Sequence, residues 1–496
     1  MKDSSHLHAG PKRSGNGGFL AVGLGLILLL AGPTDALAQA TNTPATEAKP
    51  AKQDRLADEL RWLQAEWVTI DTVRSASKHE QQVAEAPASV TIITDDEIRR
   101  FGHRTLAEIL NSVRGFHITY DRNYHYLGVR GFGRPGDFNS RVLMLVDGHR
   151  VNDVVFDGAA LGTDSPVPVD SIDRVEIVRG PGSSIYGSSA FFGVINIITK
   201  TGSRINGAEV SGSAGSFNTY ETRFTIGKRL ENEVDFSLSG NYYTSAGPGS
   251  LLIPGSGVAK NVDHDDAQSL LASVRYQDFT LRGGYVTRTK QLPNGSYGVV
   301  FNSPRNQSRD DRSFVNLDFA RTMEEVGGEL EIRTYYDHYD FEGIFVYAAN
   351  DQPTLDRGDR WGLEARYRQE LGERHSFTLG MDFRQNLRLE QKTFTTPPYT
   401  PIFFDSRGNE TWSPYAEAKI GLREDLALHT GARFDYFSTL GGVANPRLAL
   451  TWQPREGSTL KALYGSAFRA PTVYEQFYAD ATSKANPGLK PEDIRT

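Results

Sequence analysis

The sequence IDRVEIVRGPGSSIYGSSAFFGVINIITK, residues 172–200, predicts two short β-strands joined by a turn-rich connector. Val175, Ile177 and Val178 form the first apolar run, and VINII at 194–198 forms the second. Branched aliphatic residues favour strands, whereas the GPG triplet between the two runs favours a turn. The stretch therefore predicts a strand, a tight connection and a second strand.

This stretch resembles the closing segment of the plug domain of TonB-dependent outer-membrane receptors, which ends in a similar RGP, YG and GVINIITK series. Four more segments resemble plug landmarks and follow in plug order: APASVTIITDDEI (86–98), LAEILNSVRGF (106–116), LGVRGFG (127–133) and VLMLVDGHRVND (142–153). The resemblance implies an α+β plug domain inside an antiparallel transmembrane β-barrel. A soluble α+β domain with similar strands is the alternative.

The N-terminal region predicts export. Lys2, Lys12 and Arg13 precede an apolar run at 19–31, and small residues suited to cleavage follow at 36–40. The run is shorter than the roughly 20 residues of a membrane-spanning helix. We therefore predict a cleaved signal peptide and, from the resemblance, the outer membrane of a Gram-negative bacterium as the destination.

Changes in composition and pattern predict four regions along the chain. The predicted regions are a signal peptide at 1–40, a linker with a short amphipathic helix and a coupling segment at 41–79, a plug domain at 80–202, and a partial transmembrane β-barrel at 203–496.

From about residue 208 the sequence alternates between apolar and polar residues. Val234, Phe236 and Leu238 alternate with polar residues, and the segments 361–368 and 377–384 repeat the pattern. Apolar side chains outward and polar side chains inward are what a barrel in lipid requires. Polar stretches between these segments predict long external loops at 246–265, 293–311, 348–359 and 393–409.

The alternating segments number about 13, an odd count that closed bacterial barrels do not use. Strands about 4.8 Å apart and tilted about 40° give a 22-strand barrel an interior of roughly 34 Å, and a plug of this size is about 35 Å wide. A barrel of 14 strands would have an interior of only about 18 Å, which is too narrow for this plug. We therefore expect 22 strands in the complete barrel, with about 13 of them present here.

Composition argues against several other functions. The net charge of −7, with scattered Lys and Arg, gives no footprint for nucleic acid. Cysteine is absent and the histidines lack ligand spacing, so no metal site or cofactor is predicted. GFGRPG at 131–136 matches a dinucleotide fingerprint, but the sequence leads into a strand rather than the helix which that fingerprint needs. Because the sequence shows no recognisable set of catalytic residues, we predict that the protein is not an enzyme.

In the resembling family an extended segment ahead of the plug, the TonB box, pairs with the energy-coupling protein TonB of the inner membrane. WVTIDTV stands in this position and alternates as an edge strand would, although it differs from the usual box. The residues assigned to it are Trp67, Val68, Thr69, Ile70, Asp71, Thr72 and Val73.

The resemblance also implies a plug–barrel lock. Arg130 and Arg179, in the VRG and RGP turns, are expected to pair with barrel glutamates, and Glu475 and Glu492 are the candidates. The alternative is that each arginine caps its own turn.

Three plug loops, 120–126, 131–140 and 152–164, are expected from the resemblance to face outward as the floor of a ligand site. Aromatic faces beside charged groups suit a bulky polar chelate, and ordinary aromatic packing is the alternative. The residues assigned to this floor are Tyr120, Arg122, Tyr124, His125, Tyr126, Arg134 and Asp137.

The resemblance implies TonB-dependent active transport of a scarce solute across the outer membrane, with a siderophore-iron or similar chelate as the first candidate. A cobalamin-like ligand, a sugar and a host-derived carrier remain open. A passive barrel or adhesin without energy coupling is the alternative function, and an outer-membrane enzyme is a third. We expect a monomer surrounded by outer-membrane lipid.

Overall fold

The computed structural model of the chain describes residues 72–134, 136–455 and 457–496. The predicted signal peptide, the linker, the amphipathic helix at 56–67 and residues 67–71 of the predicted TonB box lie outside this range. Within the described ranges, none of the helices has the length and apolar character needed to cross a membrane.

The first part of the described chain is a small α+β domain, the plug. Its strands are β1 (Thr72–Val73), β2 (Gln81–Gln82), β3 (Ser89–Thr94), β4 (Phe116–Tyr120), β5 (His125–Val129), β6 (Val142–Val146), β7 (His149–Arg150), β8 (Ile172–Arg179) and β9 (Gly193–Thr199). Its helices are α1 (Asp95–Phe101), α2 (Leu106–Asn111), α3 (Ser183–Tyr186), α4 (Gly202–Ile205) and a 3-10 turn at Val169–Ser171.

The plug is built on a five-stranded sheet with the order β3-β8-β9-β6-β7. The two strands predicted from 172–200 are confirmed as β8 and β9, which pair antiparallel, and the connector between them contains α3. All of β6 is buried, as expected for a strand covered on both faces. Ile109 and Leu110 of α2 belong to the core on one face, and Val73 and Ile185 to the core on the other. Each such aliphatic side chain contributes about 1.5–3 kcal/mol by leaving water.

The rest of the chain forms one large antiparallel sheet of 14 strands with a small separate hairpin. The large sheet contains β10 (Gly207–Gly215), β11 (Thr219–Arg229), β12 (Asp235–Ser245), β15 (Asp265–Tyr276), β16 (Phe279–Gln291), β17 (Gln307–Met323), β18 (Gly328–Val346), β19 (Asp351–Leu371), β20 (His375–Thr395), β21 (Thr400–Arg423), β22 (Leu426–Phe437), β23 (Gly441–Arg455), β24 (Ser458–Arg469) and β25 (Glu492–Arg495). The hairpin is β13 (Leu251–Ile253) with β14 (Gly257–Ala259), a 3-10 turn lies at Ser296–Gly298, and α5 (Val473–Phe477) follows β24.

The polarity of the large sheet confirms the predicted barrel pattern. Trp361 and Leu379 are 37% and 53% exposed, whereas Arg366 and Asp382 on the same strands are 5% and 6% exposed. A soluble protein buries its aliphatic residues and exposes its charges. The inverted arrangement, with an apolar outside and a polar inside, fits a sheet whose outer face meets lipid.

Two of the predicted loops are wrong. Residues 348–359 and 393–409 are mostly strand, and the turns are confined to 347–350 and 396–399. A strand crosses a membrane with about 9–11 residues, but β19, β20 and β21 contain 21, 21 and 24 residues. The excess length continues as paired hairpin, because main-chain pairing satisfies the backbone even where the side chains are typical of a loop.

The 14 strands exceed the predicted count of about 13 by one. Consecutive strands are neighbours throughout, apart from the inserted hairpin, and in the described part of the chain β10 and β25 do not pair with each other. The expectation of 22 strands for the complete barrel stays a prediction.

The barrel holds the plug through cationic side chains that donate to plug backbone carbonyls. The donor–acceptor distances are 2.8 Å from Arg288 to the carbonyl of Asn123 and 2.8 Å from Lys461 to that of Val83. The other bonds of this kind run from Arg333 to Asp147, Arg360 to Asn152, Arg433 to Ile185 and Arg447 to Ala76. Because the donors come from six strands between β16 and β24, the sheet wraps around the plug.

A close approach between β20 and β21 gives a test of this packing. Gly380 lies opposite Tyr415, and a Cβ at Gly380 would come within 2.0 Å of that ring. Gly380→Ala therefore displaces Tyr415 and is expected to destabilise the barrel by about 1–3 kcal/mol. The measurement is the temperature at which the folded band converts to the unfolded band in gel electrophoresis.

Gly212→Ala in β10 is the matched control, since the nearest atom to its new Cβ lies 4.0 Å away. Equal conversion temperatures for the two variants would contradict the assigned register of β20 and β21.

Candidate functional site

A cavity of about 310 Å³ lies between the plug and the barrel, and we call it the aromatic cavity. Its plug side is formed by Asn123, Tyr124, His125, Phe138, Asn139, Asp153, Phe156, Gly158, Ala159 and Asp164. Its barrel side is formed by Tyr297, Arg312, Tyr339, Phe341, Phe345, Tyr347, Gln352, Thr354, Asp356, Tyr474, Tyr478, Asp480, Thr482 and Ser483.

Aromatic rings join the plug wall to the barrel wall of this cavity. The ring centroids of Phe138 and Phe156 are 4.8 Å apart, and that of Tyr474 in α5 lies 5.2 Å from Phe156. Tyr474 stacks in turn on Tyr478 at 4.9 Å. Such flat walls bind planar or bulky ligands at a small entropic cost, because each ring has few rotatable bonds.

The charged groups around the cavity are mostly acidic. Its wall contains four aspartates and one arginine, Arg312. The guanidinium of Arg312 lies 3.4 Å from Asp153 and 3.7 Å from Asp310, and stands 4.7 Å from the centroid of the Tyr339 ring. Its positive charge is therefore already balanced within the protein.

Two of the seven residues predicted to form the floor, Tyr124 and His125, line the cavity. The Tyr124 hydroxyl donates to Asp310 at 2.8 Å, and the His125 ring stacks on Tyr120 at 4.4 Å. Burial raises the pKa of Tyr124 well above its ordinary value and lowers that of His125. Both side chains are therefore uncharged at neutral pH, and each presents an aromatic surface.

The other five predicted floor residues are not part of the wall: Tyr120, Arg122, Tyr126, Arg134 and Asp137. The Tyr126 hydroxyl donates to Asp121 at 2.8 Å, so it is engaged inside its own hairpin. Arg122 lies 3.4 Å from Asp263 of the barrel, and Arg134 is exposed. Alternation along β5 places Tyr126 on the opposite face from His125, away from the cavity.

Sequence reasoning missed most of the cavity wall. Phe156 lies in the predicted loop 152–164 but was not singled out, and Tyr474 and Tyr478 lie in the segment TVYEQFY after β24. A signal was available in that segment, since Thr472 and Glu475 form a capping box that fixes α5 and its aromatic residues.

The predicted pairing of Arg130 and Arg179 with barrel glutamates is wrong. Arg179 donates to the carbonyl of Arg114 at 3.1 Å and to the hydroxyl of Thr91 at 2.9 Å, and Arg130 is exposed. Burial lowers the pKa of Arg179, and the neighbouring Arg130 and Arg114 lower it further. Cations rather than carboxylates therefore surround this turn, and Arg179 stabilises the plug itself.

A different plug arginine contacts one of the two predicted glutamates, Glu492. Arg141, immediately before β6, donates to both oxygens of Glu492 at 2.9 and 2.8 Å. Arg469 of the barrel contacts Glu492 at 2.7 Å and Glu475 at 2.8 Å. Arg141 also bonds Asp137 at 2.9 Å, which accounts for that predicted floor residue. Bidentate charged contacts of this kind are geometrically specific, and Arg141, rather than Arg130 or Arg179, makes the contact with Glu492.

The plug anchors the chain just after the predicted TonB box. Ser75 is buried, and both its backbone N–H (2.9 Å) and its hydroxyl (2.5 Å) donate to the buried carboxylate of Glu176 on β8. The Asn196 amide donates to the Ser75 hydroxyl at 3.0 Å, and the Tyr186 hydroxyl donates to the Ser75 carbonyl at 3.1 Å. We call these residues the Ser75 anchor.

The last two residues of the predicted TonB box are described, and they belong to the plug. Thr72 and Val73 form β1, which pairs with Gln81 and Gln82, and Val73 is fully buried. The coupling role of Trp67, Val68, Thr69, Ile70, Asp71, Thr72 and Val73 stays a prediction.

A second cavity, of about 460 Å³, lies beside this anchor and is lined by charged residues that include Arg74, Lys78, Arg333 and Glu364. Among the described residues, no cluster of three or more His, Asp or Glu side chains is arranged to hold a metal ion.

Two family models match the chain. The model described as "TonB-dependent Receptor Plug Domain" matches residues 82–194, and the model described as "TonB dependent receptor-like, beta-barrel" matches residues 255–496. Together they cover about seven tenths of the chain.

Curated relatives include vitamin B12 transporters named BtuB. The protein from Vibrio vulnificus (strain CMCP6) is 26% identical over 437 residues, covering 86% of this chain and 66% of the relative. The protein from Vibrio cholerae serotype O1 (strain M66-2) is 27% identical over 435 residues, covering 85% of this chain and 66% of the relative. The chain thus spans just under two thirds of the length of these relatives.

Solved structures with the same fold include siderophore receptors. A mutant of the ferric enterobactin receptor PfeA from Pseudomonas aeruginosa superposes with a TM-score of 0.64 at 20% identity, covering 86% of this chain and 69% of that one. The siderophore receptor PirA from Acinetobacter baumannii gives a TM-score of 0.62 at 17% identity, covering 82% and 66%. These likenesses concern the fold.

The ion pair between Arg141 and Glu492 is expected to contribute to the free energy that holds the plug in the barrel. Arg141→Gln removes a partly buried bidentate ion pair and is expected to weaken plug retention by about 1–2 kcal/mol. The chain has no cysteine, so Ser184→Cys at a buried plug position can serve as a single labelling site. We expect labelling of this cysteine by a maleimide at a lower urea concentration in the Arg141→Gln variant.

The exposed Arg134 provides the matched control, and Arg134→Gln should leave the urea dependence of labelling unchanged. If both variants resemble the parent protein, Arg141 does not hold the plug.

Proposed function

The chain belongs to the TonB-dependent receptors, and from this premise we propose that it carries out energy-coupled uptake of a scarce, bulky solute, such as a siderophore-iron chelate or a cobalamin-like ligand. Family membership implies the outer membrane of a Gram-negative bacterium. In this proposal the inner-membrane energy-coupling protein TonB acts on the plug through the segment at 67–73.

The observation that carries the proposal is the Ser75 anchor. Ser75 follows the predicted coupling segment by two residues, and its bonds run to β8 through Glu176 and to β9 through Asn196. Force applied ahead of Ser75 would therefore reach the central strands of the plug sheet. A passive barrel or an adhesin has no need of such a connection.

The aromatic cavity is the binding site in this proposal. A solute seated there would contact plug loops through Tyr124 and Phe156, and barrel segments through Tyr339 and Tyr474. Binding can then bias the arrangement of the plug, because a ligand shifts an equilibrium by its difference in affinity for the two states.

The contacts between plug and barrel suit a plug that rearranges without leaving. They are largely charged hydrogen bonds, which water can replace one at a time at little enthalpic cost. A fused apolar interface would lose its hydrophobic stabilisation on opening. The cavity beside Lys78, about 460 Å³, lies where such an opening would begin.

The proposed solute class is supported by comparison with similar proteins. The curated relatives are named as vitamin B12 transporters, and the structural neighbours as siderophore receptors. Both names denote carriers of large chelates, and aromatic walls such as those of this cavity suit bulky ligands.

Deletion of residues 67–71 tests the energy coupling while retaining Thr72, Val73 and the Ser75 anchor. We expect binding to be retained and uptake to be lost, because most of the segment proposed to pair with TonB is removed. The measurement is growth on limiting iron chelates, cobalamin and carbon sources, with binding assayed on the same cells.

A five-residue deletion at 43–47, in the predicted linker, is the matched control and should support growth like the parent. Continued energised uptake in the 67–71 deletion would contradict the proposal and would favour a passive barrel.

A further inference from the structure

We propose that His149 closes a passage between the aromatic cavity and the charged cavity, and that Asn196 connects this closure to the Ser75 anchor. The charged cavity is the cavity of about 460 Å³ beside that anchor. The inference rests on the proposed function and deepens it, because it assigns the route that a solute takes past the plug and the residue that opens it.

The same two barrel strands line both cavities. A small cavity of about 20 Å³ extends the aromatic cavity along β17 and β18, and the two share Asp153 and Tyr339 as lining residues. The small cavity is also lined by Phe314 of β17. Further along these strands, Asp318 and Arg333 line the charged cavity. The two cavities are therefore separated by one closed level of the plug–barrel interface.

His149 of the plug strand β7 fills this level. It is fully buried, and its ring centroid lies 5.1 Å from that of Phe314 and 4.8 Å from that of Tyr335. Its Nε2 donates to the carboxylate of Asp337 on β18 at 2.8 Å, while its Nδ1 has no partner among the described residues. The ring thus blocks the passage, and a single hydrogen bond of its side chain holds it there.

The barrel half of the closure is fixed. Phe314 lies opposite Gly284 in register, and Tyr335 lies opposite Gly362. A Cβ at Gly284 would come within 2.3 Å of the Phe314 ring, and one at Gly362 within 2.2 Å of the Tyr335 ring. Each ring is therefore packed directly on the neighbouring strand and leaves little room for movement.

The plug half can move. Strand β7 has two residues, lies at the edge of the plug sheet, and within the described chain pairs with β6 alone. The turn before it is held by polar contacts, such as those of Asp147 with Thr199 at 3.0 Å and with Arg282 at 3.1 Å. Water can replace such contacts, so a short edge hairpin opens at a lower free energy than the central strands.

Asn196 of β9 joins this hairpin to the Ser75 anchor. Its side-chain oxygen accepts the backbone N–H of Gly148 at 3.0 Å, and its amide donates to the Ser75 hydroxyl at 3.0 Å. Asn196 is only 1% exposed. A pull that displaces Ser75 therefore frees Asn196 to release Gly148, the residue directly before His149.

Swelling of liposomes in raffinose, with the purified full-length protein in the bilayer, tests the closure. We expect His149→Ala to swell at least about ten-fold faster than the parent, because a hydrogen bond to a charged group and the blocking ring are both lost. His149→Gln keeps an amide that can donate to Asp337 and should swell more slowly than His149→Ala.

His375→Ala is the matched control, since His375 is exposed at the start of β20, and it should swell like the parent. Arg141→Gln distinguishes a specific passage from general loosening of the plug, because Arg141 lines neither cavity. It should swell more slowly than His149→Ala. Equal swelling of these two variants, or parent-like swelling of His149→Ala, would overturn the inference.

A double-mutant cycle tests the connection through Asn196. Ser75→Ala should speed swelling by about five-fold in the parent, since Asn196 loses one hydrogen bond, and should add nothing in the Asn196→Ala background. Parent-like swelling of Ser75→Ala, or effects of the two substitutions that add, would overturn the connection.

The liposomes contain neither TonB nor a transported solute. Failure of the closure is therefore distinguishable from failure of the proposed function, which is judged by growth of the 67–71 deletion.

Discussion

Arginine and lysine side chains on the inner face of the barrel donate to backbone carbonyls of the plug, and the enclosure of the plug depends on these bonds. Arg288, Arg433 and Lys461 are examples from three different strands. A buried carbonyl needs a donor, and a buried cation needs compensation. The carbonyl gains a donor, and carboxylates such as Asp265 and Asp435 balance the charge of the cation. A polar lumen can therefore hold an α+β domain firmly and still exchange its contacts for water.

Much of this architecture could be predicted from the sequence, because it follows from short-range periodicity. Alternation in 361–368 and 377–384 predicted strands with an apolar outer face, and β8 and β9 were predicted from their branched runs. Loops at 348–359 and 393–409 were predicted wrongly, since pairing with a neighbouring strand overrides local composition. The large sheet has 14 strands where about 13 were predicted, and its short last strand, β25, pairs with β24.

The functional contacts were harder to predict because they join residues far apart in the chain. Arg141 and Glu492 are separated by 351 positions. Arg179 was predicted to contact a barrel glutamate because of its position in the RGP motif. Its side chain instead points to Arg114 and Thr91 of the plug. The aromatic cavity similarly combines Phe156 of the plug with Tyr474 after β24. Aromatic residues in both segments were visible, but nothing local indicated that they meet.

In the proposed transport cycle the plug is bound inside the barrel and shifts to let a solute pass. The Ala470 backbone N–H donates to the Ser188 hydroxyl at 3.0 Å, which places a barrel residue beside a buried plug residue. Ser188→Cys with Ala470→Cys would tether the plug in a chain that has no other cysteine. Uptake by cells in which this disulfide has formed is the most direct measurement. We expect uptake to be lost on oxidation and to return on reduction, whereas undiminished uptake with the disulfide fully formed would rule out a plug that has to move.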